Sequence, residues 1–413
     1  MKRAGFIIFA VVGVTLLLFL ASLSKKTEAV DAPLWKFQAV DTMKYSRDVS
    51  REKLNDSSFD IVINNQMKAI AGMGATHVGI ATPYDEEFLP ILKRWVKAAR
   101  RHNLKVWFRG NWSGWEGWFG YPKIDRQTHL SKTDTFILSH PDLFEDGDVF
   151  SACPECENGG PGDPRLNGDP QGHRKFLIDE YTVTTKAFKK IGKNVDTRYN
   201  SMNGDVAELI MDRETTAALG GLVVVDHYVK SPDQLAADIV TLANNSGGEV
   251  VLGEYGAPIL DIHGQMTEEE QARWIEDAMA RLVSVRPLIG MSYWVNVGGS
   301  TSLFNDDGTA RKAVSTLRSF YNPEKVELRV IDPLGGKIKN VTVQTLNRKF
   351  EGSDSFLLPV IGDAQRAVVS AEGYKRGYAT IKLGDNTMSI VLVPERESTF
   401  YRFRKFLSGI FSL

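Results

Sequence analysis

The chain has 413 residues, of which 43% are hydrophobic and 24% are charged, and its formal net charge is −1. These are the values of a globular protein that is too long for one ordinary compact domain, and they exclude the strongly basic character of most nucleic-acid-binding proteins. Two cysteines in a chain of this length exclude a disulfide-dense scaffold.

The N-terminal segment, residues 1–26, predicts a signal anchor. Lys2 and Arg3 precede an uncharged stretch, residues 4–24, which is long enough to cross a bilayer core of ~30 Å as a helix. A cleaved signal peptide is the alternative, although the apolar core of such a peptide is usually only ~7–15 residues long. Both interpretations place the bulk of the chain outside the cytoplasm. It is then either held at the cell membrane by a single pass or secreted.

Residues 33–321 alternate between short apolar runs and longer amphipathic runs. The apolar runs predict eight strands, at 36–41, 76–82, 104–110, 147–153, 194–200, 221–227, 248–254 and 288–295. Eight strand–helix repeats of this total length are typical of the α/β class and of a (β/α)8, or TIM, barrel. An open doubly wound sheet is disfavoured because no Gly-rich phosphate loop follows the first strand.

Residues 322–396 lose the helical periodicity and predict a small all-β sandwich. Short β-type runs alternate with turns from 326–331 to 389–392. They resemble the carboxypeptidase-regulatory-like modules and contain no catalytic constellation. The last segment, 397–413, predicts a basic amphipathic helix. Its apolar face, within residues 400–413, either lies on a membrane surface or packs on the sandwich.

The run Glu-Val-Val-Leu-Gly-Glu-Tyr-Gly-Ala-Pro, residues 249–258, carries the strongest functional signal. Its apolar residues predict a buried seventh strand, and Glu254 lies at the C-terminal tip of that strand. A (β/α)8 barrel keeps its catalytic groups at this end of its strands. We therefore expect Glu254 to be a catalytic carboxylate and expect a second acid at the tip of another strand.

The second acid is predicted at the end of strand 4, in Cys-Pro-Glu-Cys-Glu, residues 153–157. Acids after strands 4 and 7 resemble clan A of the glycoside hydrolases, which contains cellulases, mannanases and β-galactosidases. The clan usually has Asn-Glu-Pro on strand 4. By this resemblance Glu155 is the acid/base and Glu254 the nucleophile, with Glu157 as the alternative acid. Because Pro154 stands where the clan has Asn, a non-catalytic glycan-binding protein is one alternative function. A structural cell-envelope protein, with the two domains as spacers between membrane contacts, is the other.

The resemblance implies hydrolysis, or transglycosylation, of a β-linked polysaccharide or oligosaccharide by a retaining mechanism, without a cofactor or a metal. Such a mechanism needs two carboxyl groups ~5–5.5 Å apart. The end of strand 6 is similar to the His-x-Tyr of the clan, so His227 and Tyr228 are expected to contact the nucleophile or the sugar, with Asp226 orienting the histidine. Trp294, after strand 8, is expected under the sugar.

The loop after strand 3 interleaves Trp and Gly over residues 107–121. Aromatic rings cover the flat C–H faces of sugars, so Trp112 is a candidate sugar contact. A small apolar core that fixes the loop is the alternative. Arg109 and Asn111 are candidate ligands for a hydroxyl or a carboxylate, and an arginine facing a catalytic acid would keep that acid ionised. Asn200, at the end of strand 5, is a further candidate for substrate binding.

Cys153 and Cys156 lie on either side of the predicted acid/base. A disulfide that makes the loop rigid, half of a zinc site completed by His140 or His173, and a redox dithiol are all open at this point. The aspartates of the 161–172 loop can bind calcium, but their spacing is not that of an EF-hand. We expect no metal in the site.

Overall fold

The computed structural model describes residues 30–31, 34–346 and 348–396, together with Arg402 and Phe406. The chain divides into two compact units, one formed by residues 34–323 and the other by the remaining described residues. The predicted anchor, and all of the predicted C-terminal helix except Arg402 and Phe406, lie outside the described residues. Across the part of the chain that the structure describes, no helix has the length and apolar character of a membrane span.

The first unit is a barrel of eight parallel strands, which confirms the predicted (β/α)8 architecture. In chain order the strands are β1 Phe37–Asp41, β2 His77–Ile80, β3 Lys105–Phe108, β4 Val149–Phe150, β5 Ser201–Asn203, β6 Leu222–Asp226, β7 Glu249–Tyr255 and β8 Leu288–Tyr293. They pair in the order β4, β3, β2, β1, β8, β7, β6, β5. A parallel bridge between Val149 and Asp196 joins β4 to the segment before β5 and closes the ring. Only β5 lies outside its predicted range: it begins at Ser201, one residue after the predicted strand 194–200 ends.

Helices connect the strands, and the longer ones bury one face each. The longer ones are Phe59–Gly72, Leu89–Arg101, Arg126–Ser139, Pro170–Lys190, Pro232–Ser246, Glu268–Leu282 and Lys312–Tyr321; the shorter ones are Met43–Ser46, Ser113–Glu116, Pro164–Asn167, Gly204–Ile210, Arg213–Ala218 and Leu260–His263. In Leu89–Arg101 the buried residues include Leu92, Trp95 and Val96. Their spacing of three or four positions matches the helical period, so burial of an apolar stripe explains why the helix forms there.

The barrel interior is apolar towards the N-terminal ends of the strands and charged towards their C-terminal ends. Successive side chains of a strand point to opposite faces, so alternate residues share the interior. On β1, Phe37 and Ala39 belong to the interior apolar cluster, and Asp41 follows two positions later. On β6, Val224 belongs to the same cluster and Asp226 follows it. This alternation places acidic side chains directly above the apolar layer.

A β-bulge between β6 and β7 turns Glu254 into the interior. The register shifts so that Asp226 pairs with Glu254, which leaves Gly253 as the extra residue. Val251 faces the interior, and strict alternation from it would bring in Gly253 instead of Glu254. A side chain at Gly253 would have no space, because a Cβ atom there would lie 2.3 Å from Asp226 Oδ1.

The second unit consists of two four-stranded sheets around one apolar core. The first sheet has the order Val30–Asp31, Ser355–Pro359, Lys325–Ile331, Thr387–Val391, and the second Arg348–Gly352, Val341–Thr345, Ala364–Ala371, Gly377–Lys382. Alternate residues of the strands, such as Val326, Leu328 and Val330, fill the core. The predicted all-β region is confirmed, but the sequence analysis does not predict Val30–Asp31 or Arg348–Gly352; no residue of Arg348–Gly352 is fully buried.

Candidate active site

Arg109 lies at the end of β3 and contacts three carboxylates. Its side chain is 1% exposed. Nη1 donates hydrogen bonds to Asp41 Oδ2 at 2.8 Å and to Glu254 Oε1, and Nη2 donates to Asp226 Oδ2 at 2.7 Å. Burial by itself lowers the pKa of Arg109, but the charges of Asp226, Glu254 and Asp41 outweigh it, so the pKa is raised well above its usual value. The guanidinium is therefore a permanent cation that fixes the positions of the three acids.

Glu254 is held at both of its carboxylate oxygen atoms. Oε1 accepts from Arg109, and Oε2 accepts a hydrogen bond of 2.8 Å from the Tyr228 hydroxyl. Burial and the nearby charge of Glu254 raise the pKa of Tyr228 well above its usual value, so this phenol stays a neutral donor. A cation on one side and a hydroxyl on the other fix the orientation of this carboxylate.

Glu155 reaches the same cavity from the loop after β4. Its backbone has left-handed angles, φ 44° and ψ 49°, and its N–H donates to the Ser201 carbonyl on β5 at 2.7 Å. One carboxylate oxygen each from Glu155, Asp226 and Glu254 lie within 4.8 Å of one another. The structure thus brings together the two acids that the sequence analysis pairs, although they are far apart in the chain.

The surroundings of Glu155 favour its protonated form. Burial is the largest cause and the charge of Glu254 the next; Arg109 opposes them, and the net effect raises the pKa of Glu155 to about 8. Among the residues that the structure describes, no side chain donates a hydrogen bond to this carboxylate. Two neighbouring carboxyl groups with such different surroundings can take different protonation states at neutral pH, as an acid/nucleophile pair requires.

Asp41 and Asp226 are site residues that the sequence analysis does not assign to the site, apart from an orienting role for Asp226. Both are buried, and burial is the largest cause that raises the pKa of each. Each ends a barrel strand, and Glu254 lies one residue before the end of β7, so the rule that located Glu254 would also have found them. Arg109 places one cation against the carboxylates of Asp41, Asp226 and Glu254.

His227 faces away from the barrel interior, so the prediction that it contacts the nucleophile or the sugar is wrong. Its Nε2 lies 2.9 Å from Asp238 Oδ2 in helix Pro232–Ser246, and a Cβ atom at Gly204 would lie 2.4 Å from its Nδ1. The residues on either side of it, Asp226 and Tyr228, face inwards because alternate residues of an extended segment share a face. Asp226 therefore does not orient the histidine but contacts Arg109.

Asn111 and Trp112 belong to the packing of the β3 loop. The side chain of Trp112 is buried, and its Nε1 donates to Thr133 Oγ1 at 3.0 Å. Asn111 is fully buried: its Nδ2 donates to Glu116 Oε1, and His129 Nε2 lies 2.9 Å from its Oδ1. The predicted contacts of these two residues with substrate are therefore wrong, and the alternative, a small core that fixes the loop, is the arrangement found.

Glu157 points to β5 and not into the cavity around Glu254. Its Oε1 accepts hydrogen bonds from the Asn203 backbone N–H at 2.7 Å and from Asn203 Nδ2 at 3.0 Å. Its side chain is buried. Glu157 thus fixes the loop to β5 through Oε1, and its assignment as the alternative acid or a substrate contact stays a prediction.

Trp294 follows β8, as the sequence analysis predicts, whereas Asn200 precedes β5 instead of ending it. Trp294 is partly exposed and packs edge-on against Tyr228, with 6.0 Å between the ring centroids and 76° between the planes. It therefore lies next to the tyrosine that holds Glu254. Asn200 is buried, and within the described ranges its Nδ2 has no hydrogen-bond partner.

Cys153 and Cys156 form a disulfide. Of the three interpretations of this pair, the structure therefore supports the disulfide in the loop. A zinc site or a free dithiol would need both sulfur atoms as thiolates. The aspartates of the following loop cap helices: Asp163 accepts from the Arg165 N–H and Asp169 from the Gly172 N–H. Their oxygen atoms therefore have structural partners and do not form a calcium loop.

No protein-family model and no curated protein matches the sequence. Solved structures do match the fold. A GH5_18 variant from Bifidobacterium longum subsp. longum in complex with Manβ1-4GlcNAc has a TM-score of 0.52 at 16% identity, covering 72% of this chain and 82% of its own. A GH5_18 variant from Streptomyces cattleya with the same ligand has a TM-score of 0.52 at 13% identity, covering 73% and 85%.

The S. cattleya GH5_18 structure in complex with GlcNAc has a TM-score of 0.53 at 13% identity, covering 74% of this chain and 85% of its own. At these identities the likeness is one of fold. The predicted resemblance to the (β/α)8 glycoside hydrolases is confirmed at that level: over about three quarters of its length the chain has the fold of the GH5_18 glycoside hydrolases.

Proposed function

We propose that the chain is a glycoside hydrolase that cleaves a β-linked glycan with retention of configuration, with Glu254 as nucleophile and Glu155 as acid/base. The observation that carries the proposal is the convergence of these two carboxyl groups, whose oxygen atoms lie within 4.8 Å of each other. Retaining enzymes separate the two groups by ~5–5.5 Å, whereas inverting enzymes need ~6.5–9.5 Å to admit a water molecule. The short distance therefore favours direct attack by Glu254.

In the first step Glu254 attacks the anomeric carbon while Glu155 transfers its proton to the glycosidic oxygen. The bond between the anomeric carbon and that oxygen breaks, and an ester forms between the sugar and Glu254. Arg109 and Tyr228 hold the attacking carboxylate in position. The raised pKa of Glu155, about 8, supplies the proton at neutral pH.

In the second step Glu155 acts as a base. The negative charge of Glu254 is one of the causes that raise the pKa of Glu155. That charge disappears when Glu254 becomes an ester, so the pKa of Glu155 falls and its carboxylate accepts a proton from water. The resulting hydroxide-like oxygen attacks the anomeric carbon and releases Glu254. A sugar hydroxyl in place of water gives transglycosylation.

A β-linked oligosaccharide or polysaccharide is the substrate class that we propose. Two of the solved GH5_18 structures with this fold hold Manβ1-4GlcNAc. In this chain Trp294 is partly exposed beside Tyr228 and offers an aromatic face of the kind that covers the C–H surface of a sugar. The chemistry uses only side chains, so we propose no cofactor.

We further propose that the barrel works outside the cytoplasm, at the cell membrane or after secretion. The Cys153–Cys156 disulfide supports this location, because disulfides persist in oxidising compartments. The uncharged stretch of residues 4–24 supports an N-terminal membrane anchor. Fractionation of cells that produce the full chain, with a protease added from outside, tests both statements: a barrel that stays protected inside the cytoplasm rejects them.

The proposed chemistry is tested with Glu254→Gln and Glu155→Gln, with Glu157→Gln as the matched control. Substrates are 4-nitrophenyl β-glycosides of several hexoses and β-1,4-linked oligosaccharides. We expect each of the first two variants to lose activity by ~10³-fold or more while remaining folded, and the control to stay active. NMR of the first-formed product should show the β-anomer. A wild-type protein inactive on the whole panel, or full activity in either variant, rejects the proposal.

A further inference from the structure

The Cys153–Cys156 disulfide encloses the proposed acid/base. Only Pro154 and Glu155 lie between the two cysteines, so the bond closes a small ring in which Glu155 is one of four residues. The Cα atoms of the cysteines are 5.1 Å apart. A ring of this size leaves the backbone of Glu155 little freedom to rotate.

Glu155 needs this restriction because its backbone conformation is unfavourable. Its φ of 44° lies in the left-handed region, which residues other than glycine, asparagine and aspartate seldom adopt. Such a conformation persists only when surrounding contacts determine it. Two hydrogen bonds contribute, from the Glu155 N–H to Ser201 O at 2.7 Å and from the Asn158 N–H to Glu155 O at 2.9 Å.

The ring is itself fixed to the β3 loop on two sides. Asn111 Nδ2 lies 3.5 Å from Cys153 Sγ and donates to it, and Trp115 Nε1 donates to the Cys156 carbonyl at 3.2 Å. Both cysteines are buried. The ring thus has a fixed place at the barrel mouth, and its buried sulfur atoms are poorly accessible to thiols in solution.

We propose that Cys153 and Cys156 are positioning residues for Glu155: their disulfide holds the Glu155 backbone left-handed and thereby keeps its carboxyl group beside Glu254. The role in catalysis rests on the proposed function, whereas the position of the carboxyl group does not. Burial of the sulfur atoms makes the bond a permanent brace and not a redox switch. The proposal also explains why the small loop holding Glu155 carries both cysteines of the chain.

The experiment follows the ionisation of Glu155 itself, which depends on where its carboxyl group lies. The charged or titratable groups that act on it are Glu254, Arg109, Glu157 and Glu116. In protein with ¹³C-labelled glutamate, the Glu155 carboxyl signal is assigned from its absence in Glu155→Gln. It should titrate with a pKa of about 8 in the wild type. In Cys153→Ser/Cys156→Ser we expect the pKa to fall by at least about one unit, because the released carboxyl group turns to solvent.

A titration in the double variant that matches the wild type to within about 0.3 units would overturn the proposal, since the hydrogen bonds alone would then hold Glu155. Should the double variant fail to fold, wild-type protein is reduced with a phosphine. The S–S bond then gains two electrons and two protons, and water supplies the oxygen of the phosphine oxide. Wild-type protein carried through the same steps without the phosphine is the matched control. Alkylation followed by mass spectrometry verifies that the bond is open.

An activity measurement separates positioning from general damage. We expect the double variant to lose at least about tenfold in kcat on 4-nitrophenyl glycosides but much less on 2,4-dinitrophenyl glycosides, whose leaving group needs no proton. Azide, a nucleophile that needs no base, should restore turnover. Equal losses on both substrates without azide rescue would contradict the proposal. A wild-type protein that hydrolyses none of them rejects the proposed function, while the carboxyl titration still decides the positioning.

Discussion

Replacing the proposed acid should make the protein more stable at high pH while abolishing its activity. An ordinary glutamate has a pKa of 4.5, and burial is the main cause that raises the pKa of Glu155 to about 8 in the folded chain. The folded state therefore binds a proton more tightly than the unfolded state. Between these two pH values the wild-type protein loses stability as the pH rises, and all of that loss is present above about pH 8. Glu155→Gln cannot lose a proton, so it avoids the loss.

The size of the effect follows from the two pKa values. Each unit of difference is worth about 1.4 kcal/mol, so the interval from 4.5 to about 8 sets a ceiling of roughly 5 kcal/mol. The side chain is partly exposed, and solvent screens a charge at such a position. Near pH 9 we therefore expect the free energy of unfolding of Glu155→Gln to exceed that of the wild type by about 2–3 kcal/mol. Near pH 4.5 we expect the two free energies of unfolding to be nearly equal.

Urea unfolding followed by tryptophan fluorescence is the assay. All eight tryptophans lie between residues 34 and 323, so the signal reports on the barrel unit alone. Glu52→Gln is the control, since the side chain of Glu52 is 69% exposed and its charge is solvated in both states. Parallel pH profiles for wild type and Glu155→Gln would refute the reasoning, because they would mean that Glu155 ionises in the folded protein as easily as in the unfolded chain.

Three further substitutions test the remaining contacts. Arg109→Met leaves the buried acids without their cation and should destabilise the barrel by ~3–5 kcal/mol, less at low pH where the acids become protonated; an unchanged urea midpoint would contradict this. Tyr228→Phe removes one hydrogen bond to Glu254 and should lower kcat by ~10–100-fold without affecting folding, as steady-state kinetics can check. His227→Ala loses only an outward contact to Asp238, so its kcat should stay within ~3-fold of wild type; a large loss would place the imidazole in the reaction.

The barrel is predictable from the sequence because its signals are local. Apolar runs of strand length alternate with amphipathic helical runs, and seven of the eight observed strands lie where those runs predict them. The fifth strand is the exception, since Asp196 pairs on one side and Ser201–Asn203 on the other. No apolar run marks such a divided strand. Pairing with two different neighbours is a property of the closed barrel and not of the segment.

The inward or outward direction of side chains at the strand ends is less predictable. Glu254 faces inwards only because Gly253 is the extra residue of a bulge, and nothing in the local sequence distinguishes a bulge from regular alternation. At β6 the rule of alternation holds, and it selects Asp226 and Tyr228 over the histidine between them. The sequence analysis chose His227 by its chemistry. In both places the backbone geometry decided which side chain enters the site.

The position of one cation explains why Glu254 is proposed to attack and Glu155 to donate a proton. Arg109 contacts Asp41, Asp226 and Glu254 directly, but its effect on Glu155 is only an electrostatic one at longer range. One guanidinium cannot neutralise four buried carboxylates, so protons must stay on some of them at neutral pH. Glu155 and Glu254 are the two acids that can reach a substrate. Of these, Glu155 keeps its proton more readily, because no described side chain donates a hydrogen bond to its carboxyl group. The roles proposed for Glu155 and Glu254 therefore follow from the direction of the Arg109 side chain at the end of β3.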